Sequence, residues 1–174
     1  MDQQLACTQL ESERLILQPL KAKGCGEIAG KFAKGYGAAV LPERGSGGYG
    51  WLILPRLIPR PVGVVLLLPA EEGCCGMLSY ELDSLWHGMG LLSEALAMVK
   101  EFALSEAGFS WIKARISPRD PFGRRLLEHL GLGLEQSAEE GVLTFGLFRS
   151  EEELLEMEDS GSWSCQRGAC HYGA

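Results

Sequence analysis

The sequence predicts an α/β fold, a mixed and mostly antiparallel sheet flanked by helices on both faces. Three observations predict it. Apolar runs of strand length stand at 49–54, 62–68 and 77–82, each bounded by turn residues. A strand, a turn with two glycines and an amphipathic helix follow one another without a break from Leu82 to Leu96. An alternating segment from Trp111 to Ser117 then leads into a short helix closed by glycine.

Taken in order, 14–20 reads as the first strand, with Pro19 at its end or on an edge. From 21 to 50 glycine is frequent, and each interior glycine costs a helix about 1 kcal/mol relative to alanine. A short helix at 27–34 and a mobile loop at 42–50 are the expectation. Residues 49–54 and 62–68 form an antiparallel hairpin, too apolar on both faces to meet water. Residues 77–82 form the strand that enters the glycine turn. In the helix beyond it, Leu92, Ala95, Leu96, Val99, Phe102 and Ala103 share one face, and Gly108 ends it. In 111–117, Ile112, Ala114 and Ile116 face one way and Lys113 and Arg115 the other. A short helix over 122–131 packs on the face opposite the long one, and 142–148 is the last strand. Residues 1–149 make one domain. Residues 150–174 make an acidic tail, expected to be disordered.

Composition excludes several classes of function. The chain has 174 residues, 46% of them apolar, enough for one core of ordinary size. Its net charge of −7 is uneven, since the tail carries six acidic groups and one Arg. The remainder is nearly neutral, which argues against a nucleic-acid partner. No apolar run approaches the roughly 18 residues of a spanning helix, and the first residues are polar, so no membrane partner and a cytoplasmic location are expected. The six cysteines are scattered and read as reduced thiols. Cys165, Cys170 and His171 lack a second pair of ligands, so no metal is expected.

The turn Trp86-His87-Gly88-Met89-Gly90 has the properties of a phosphate site. Two glycines separated by one residue let the backbone turn sharply and point several N–H groups outward, and the helix behind adds the positive end of its dipole. With no Lys or Arg inside the turn, backbone N–H groups are expected to do most of the holding. A dinucleotide-binding loop is a poor fit, because the third glycine position is Ser93 and no acidic residue ends a strand about 20 residues on.

These residues resemble the acetyl-coenzyme A (acetyl-CoA) loop of the GNAT superfamily of N-acetyltransferases, and specifically the branch that acetylates ribosomal proteins and other protein N-termini. The family's six-residue pattern falls on His87, Gly88, Met89, Gly90, Leu91 and Leu92; His87 stands where the family has Gln or Arg, and Leu92 where it has a small residue. Glu13 to Leu20 matches the branch's opening run. Asp120 to Leu132 matches its last helix motif, with Asp120 in place of Asn. The resemblance covers about residues 10 to 149. It implies a GNAT-like sheet, acetyl-CoA as co-substrate, and cofactor binding by Leu82, His87, Gly88, Met89, Gly90, Leu91, Leu92 and Asp120. It also implies an amine-bearing substrate such as a protein N-terminus, and a monomer or homodimer.

Deprotonating an ammonium asks for a base, and Glu81, Asp83 and His87 lie nearby. Strand alternation puts Glu81 and Asp83 on one face and Tyr80 and Leu82 on the other, so Glu81, Asp83 and Tyr80 are the catalytic candidates. The family's glutamate at another strand position is Met77 here, and its hydroxyl-bearing positions on the last helix are Gly123 and Leu127. Two functions remain open: acetyl transfer to a primary amine by direct transfer, and a catalytically silent acyl-CoA-binding or protein-interaction domain of the same fold.

Overall fold

A computed structural model of the chain describes residues 8–20, 48–58, 60–70, 74–135 and 141–148. The expected helix at 27–34, residues 42–47 of the expected loop and the acidic tail lie outside these residues, and Tyr49 and Gly50 belong to a strand. The described chain runs β1 (Leu10–Glu11), β2 (Leu15–Pro19), β3 (Tyr49–Pro55), β4 (Gly63–Pro69), β5 (Cys75–Leu82), α1 (Leu91–Ser105), β6 (Trp111–Ile116), α2 (Pro121–His129), β7 (Gly133–Leu134) and β8 (Leu143–Phe148). The strands form one eight-stranded sheet in the order β1-β2-β3-β4-β5-β6-β8-β7. Every neighbouring pair is antiparallel except β5 and β6, which are joined through α1 and run parallel. The fold is the mixed, mostly antiparallel α/β class that the sequence predicts.

The core lies between the sheet and α1. Trp51 and Ile53 of β3, Val65 and Leu67 of β4, and Leu78 and Leu82 of β5 share one sheet face by register, and all are buried. The helix stripe Leu92, Ala95, Leu96, Val99, Phe102 and Ala103 meets them, as its spacing predicts. The Phe102 ring stands edge-on to Tyr49 at 5.0 Å and to Trp51 at 5.3 Å, a favourable aromatic geometry. On the opposite face Leu52, Val64 and Leu66 are buried too, so β3 and β4 are apolar on both sides.

One placement differs from the sequence reading. The short helix α2 shares the face of α1: Leu126, Leu127 and Leu130 join the same buried cluster, and Lys100 Nζ of α1 donates to the Leu130 carbonyl at 3.0 Å. The physical reason is amphipathicity. With Arg124, Arg125 and Glu128 exposed, the only apolar stripe of α2 is the one that closes the core beside α1. Strands β1 and β7, of two residues each, also go beyond what the sequence predicts.

Asp120 caps α2, its Oδ1 accepting from Gly123 N at 2.9 Å, and Pro121 occupies the first turn, where its missing N–H costs nothing. Replacing Asp120 by Ala should cost about 1 kcal/mol of stability, while Asp120→Asn should keep most of it. Leu127 is fully buried, and Leu127→Ala should cost about 2–5 kcal/mol through the lost contacts and the cavity. Urea denaturation of the three variants beside the parent checks both expectations.

Candidate functional site

Parallel pairing of β5 with β6 covers Cys75↔Trp111 to Leu78↔Ala114 and stops there. Strand β5 continues along β4 as far as Gly63↔Leu82, and β6 continues along β8 as far as Ile116↔Leu143. The two strands therefore part, leaving a cleft between residues 79–82 and 115–116. Asp83 N donates to the Val62 carbonyl at 2.8 Å, which fixes the phase of the β4–β5 ladder. Alternation then turns the N–H and C=O of Tyr80 and Leu82 away from β4 and toward the cleft.

At the cleft's mouth the chain makes a short 3₁₀ turn over Ser84–Trp86, then the glycine turn, then α1. Gly88 has φ +78° and Gly90 φ +73°, left-handed values that glycine alone adopts without strain. A Cβ on Gly88 would meet nothing within 4 Å, so the space outside the turn is open. Gly90 is the N-cap of α1 and supplies no side-chain cap. The first helical bond is Glu94 N to Gly90 O, so the N–H groups of Leu91, Leu92 and Ser93 have no acceptor within the helix. Leu91 and Leu92 turn their side chains into the core; what they bring to the turn is backbone.

The sequence predicts His87 at the first position of this turn. Its Nε2 lies 3.0 Å from the Leu82 carbonyl, and because a carbonyl only accepts, Nε2 carries the proton of that bond. The ring stacks on exposed Phe122 of α2, with centroids 6.1 Å apart and planes 13° apart. His87 thus joins the turn, the end of β5 and the start of α2. Met89 is exposed, and its carbonyl accepts from Arg14 Nη1 at 3.0 Å.

The three catalytic candidates are in different situations. Asp83 caps the 3₁₀ turn, its Oδ1 accepting from Leu85 N at 3.0 Å. Glu81 is partly buried, its Oε2 is screened from solvent without a hydrogen-bond partner, and burial raises its pKa above the ordinary 4.5. Tyr80 points to the other face, where its hydroxyl is buried at the first turn of α2. A Cβ on Gly123 would lie 3.3 Å from that hydroxyl and would clash with the Asp120 carboxylate. Glycine at 123 therefore leaves room for both groups. The cleft has a carboxylate on one side and a phenol on the other, one residue apart in sequence.

Sequence reasoning misses Arg14, Ser12 and Glu94. Arg14 Nε donates to Glu94 Oε2 at 2.7 Å, Nη2 lies 2.5 Å from the same oxygen, and Ser12 Oγ donates to Glu94 Oε1 at 2.5 Å. Partial burial pushes the Glu94 carboxyl up, but the Ser12 hydroxyl and the Arg14 guanidinium outweigh it and bring it below its usual value. Spacing gives no signal for contacts between residues about 80 positions apart, although Arg14 lies within the Glu13–Leu20 run that resembles the family's opening.

The comparisons agree with this architecture. Residues 14–133 match the family model described as an acetyltransferase (GNAT) domain. A probable N-acetyltransferase of Bacillus subtilis (strain 168), YjcK, is 29% identical over 97 residues, which are 55% of this chain and 54% of that protein. The match thus spans about half the length of this curated relative. Among solved structures, an acetyltransferase from Agrobacterium tumefaciens str. C58 superposes with a TM-score of 0.67 at 16% identity, over 86% of this chain and 99% of its own. A ribosomal-protein-S5-alanine acetyltransferase from Vibrio fischeri gives 0.64 at 14% identity, over 83% and 98%. The dodecameric spermidine N-acetyltransferase of Vibrio cholerae gives 0.65 at 10% identity, over 81% and 97%. At these identities the structures speak for the fold, and the family match speaks for descent: the chain belongs to the GNAT acetyltransferase domain family.

Proposed function

We propose that the chain is an acetyl-CoA-dependent N-acetyltransferase that moves an acetyl group directly to a primary amine, on a protein N-terminus or a small molecule. The observation that carries this reading is the parting of β5 and β6 beside a two-glycine helix N-terminus, with Glu81 and Tyr80 on opposite faces of the parting strand. The names of the similar structures, a ribosomal-protein acetyltransferase and a spermidine acetyltransferase, support an amine as the acceptor class.

The residues present suit acetyl-CoA. Backbone N–H groups of Gly88 to Leu92 would take the pyrophosphate, with open space over Gly88 and the dipole of α1 behind. The cleft-facing backbone of Leu82 would take the pantetheine arm. Its carbonyl already accepts from His87, so the second lone pair, or a turn of the imidazole, serves an incoming N–H. Asp120 stays with α2 as its cap and borders the cleft beside Tyr80.

When bound, acetyl-CoA supplies the thioester, whose acetyl carbon is open to a neutral amine. Glu81 Oε2, poorly solvated and above its ordinary pKa, takes the proton that an ammonium must lose. Leu82 N–H offers a backbone donor where negative charge develops on the carbonyl oxygen. Tyr80 Oη, on the other face, gives up a proton on the leaving side. This last role matters because Gly123 and Leu127 carry no hydroxyl. The absence of both hydroxyls is what favours the second reading, a silent acyl-CoA-binding domain, and turnover separates the two.

Calorimetric titration with acetyl-CoA should give micromolar binding that Gly90→Asp abolishes, since the aspartate strains the turn and repels a phosphate. Thiol release with a panel of primary amines should then proceed in the parent protein. Binding without release under any amine would favour the silent acyl-CoA-binding domain, and no binding by the folded parent would end the enzyme reading in favour of a protein-interaction domain.

For a base of raised pKa, kcat/KM rises with pH through that pKa, and Glu81→Gln should remove the rise and lower kcat about a hundredfold or more. Linkage fixes a second sign. The folded state holds its Glu81 proton to higher pH than the unfolded chain, so this residue's contribution to stability falls as pH rises above 4.5, and Glu81→Gln should flatten that fall. A pH–rate profile and pH-dependent melting of the variant measure the two effects separately.

A further inference from the structure

Arg14 comes from the hairpin at the start of the described chain, yet it lies against the glycine turn. Its guanidinium has five N–H donors. Nε and one N–H of Nη2 serve Glu94, and one N–H of Nη1 serves the Met89 carbonyl. Two donors remain, on a side chain that is 52% exposed. Nη2 lies 3.5 Å from the point where a Cβ of Gly90 would stand, so these donors border the N-terminus of α1.

Charge makes the position informative. Glu94 sits in the first turn of α1, where a carboxylate suits the helix dipole but opposes any second anion at the same place. A bare carboxylate there would make the turn a poor phosphate site. Arg14 cancels that charge; Glu94 Oε2 and the Met89 carbonyl fix the direction of its fork, and Ser12 holds the other Glu94 oxygen. The bond to Met89 O also turns this peptide's carbonyl toward the hairpin, leaving the outer side of the turn to N–H groups.

We infer that Arg14 is a phosphate-binding residue, the cationic contact for the pyrophosphate of the acyl donor, delivered to the glycine turn from the N-terminal hairpin and aimed by Glu94. The inference rests on the reading of the turn as the acetyl-CoA site. It supplies the positive charge that the turn itself lacks, with the geometry of a guanidinium, which bonds phosphate oxygens in pairs while still holding a carboxylate.

The test is binding of acetyl-CoA, 3′-dephospho-acetyl-CoA and phosphate-free acetyl-pantetheine to the parent, Arg14→Gln, Arg14→Lys and the double variant Arg14→Gln/Glu94→Gln, each checked for folding by thermal melting. Arg14→Gln should weaken both phosphate-bearing donors about tenfold or more, reduce their salt dependence, and leave acetyl-pantetheine unchanged. Arg14→Lys should recover part of the loss. The double variant, which leaves no uncompensated carboxylate, should bind as weakly as Arg14→Gln. Equal affinity in parent and Arg14→Gln would overturn the inference, as would an equal loss for acetyl-pantetheine, which marks a structural role. Recovery of parent affinity in the double variant would reduce Arg14 to a shield for Glu94 and overturn the direct contact. Loss of the Arg14 effect with the 3′-dephospho donor would move the contact to the other phosphate and overturn the pyrophosphate assignment. A folded parent that binds no acetyl-CoA would sink the functional reading itself and this inference with it. Binding by the parent with an indifferent Arg14→Gln sinks the inference alone.

Discussion

Everything at the cleft follows from where one ladder stops. Parallel pairing between β5 and β6 ends at Leu78↔Ala114, while β4 and β8 hold their partners four and two residues further. Each strand thus stays with its antiparallel neighbour beyond the point where the two part. Under the proposed function, the backbone that β5 turns toward the cleft is where a second chain-like molecule would add hydrogen bonds. The same stop separates Glu81 from Tyr80, because a strand edge open on one side still alternates its side chains across both faces.

Around that gap, backbone and charge divide the work. The glycine turn contributes N–H groups and positive φ values, and α1 contributes its dipole. Neither provides a full charge. The full positive charge comes from elsewhere in the chain, Arg14 of the first hairpin, held by Glu94 of the first turn of α1. His87 and Phe122 connect the turn to α2, so three elements distant in sequence meet at one place. A site so assembled depends on the common core that holds the elements, since Leu91, Leu92, Leu126 and Leu127 belong to a single buried cluster.

Much of this was legible in the sequence, for physical reasons that also mark where legibility ended. Strands β3, β4 and β5 announced themselves by apolar runs bounded by turn residues, and α1 by a stripe at spacings of three and four. The glycine turn was legible because positive φ demands glycine at Gly88 and Gly90. The short β1 and β7 carry too few residues for a period to register. Periodicity shows that α2 has an apolar face but not which side of the sheet receives it, and its true side depended on α1 being there. The Arg14–Glu94 pair was illegible because pairing across 80 positions leaves no local pattern, whereas the inward turn of Leu92 followed from its place on the helix stripe. Asp83 looked like Glu81 in sequence; only the cap on Leu85 N distinguished them.

The register of β5 against β4 has a consequence for which side of the cleft carries which chemistry. Side chains on a strand change faces with every residue, so a slip of one position would send Glu81 inward toward α2 and Tyr80 outward. What prevents the slip is the row Leu78↔Leu67, Tyr80↔Val65 and Leu82↔Gly63, whose apolar members fill the core beneath α1. Which face of β5 carries the Glu81 carboxylate and which the Tyr80 phenol is therefore set by the packing of Leu67, Val65 and Leu78 as much as by the two residues themselves. A change at Leu67 or Leu78 that let the strands slip by one would exchange the faces of Glu81 and Tyr80 without altering either residue.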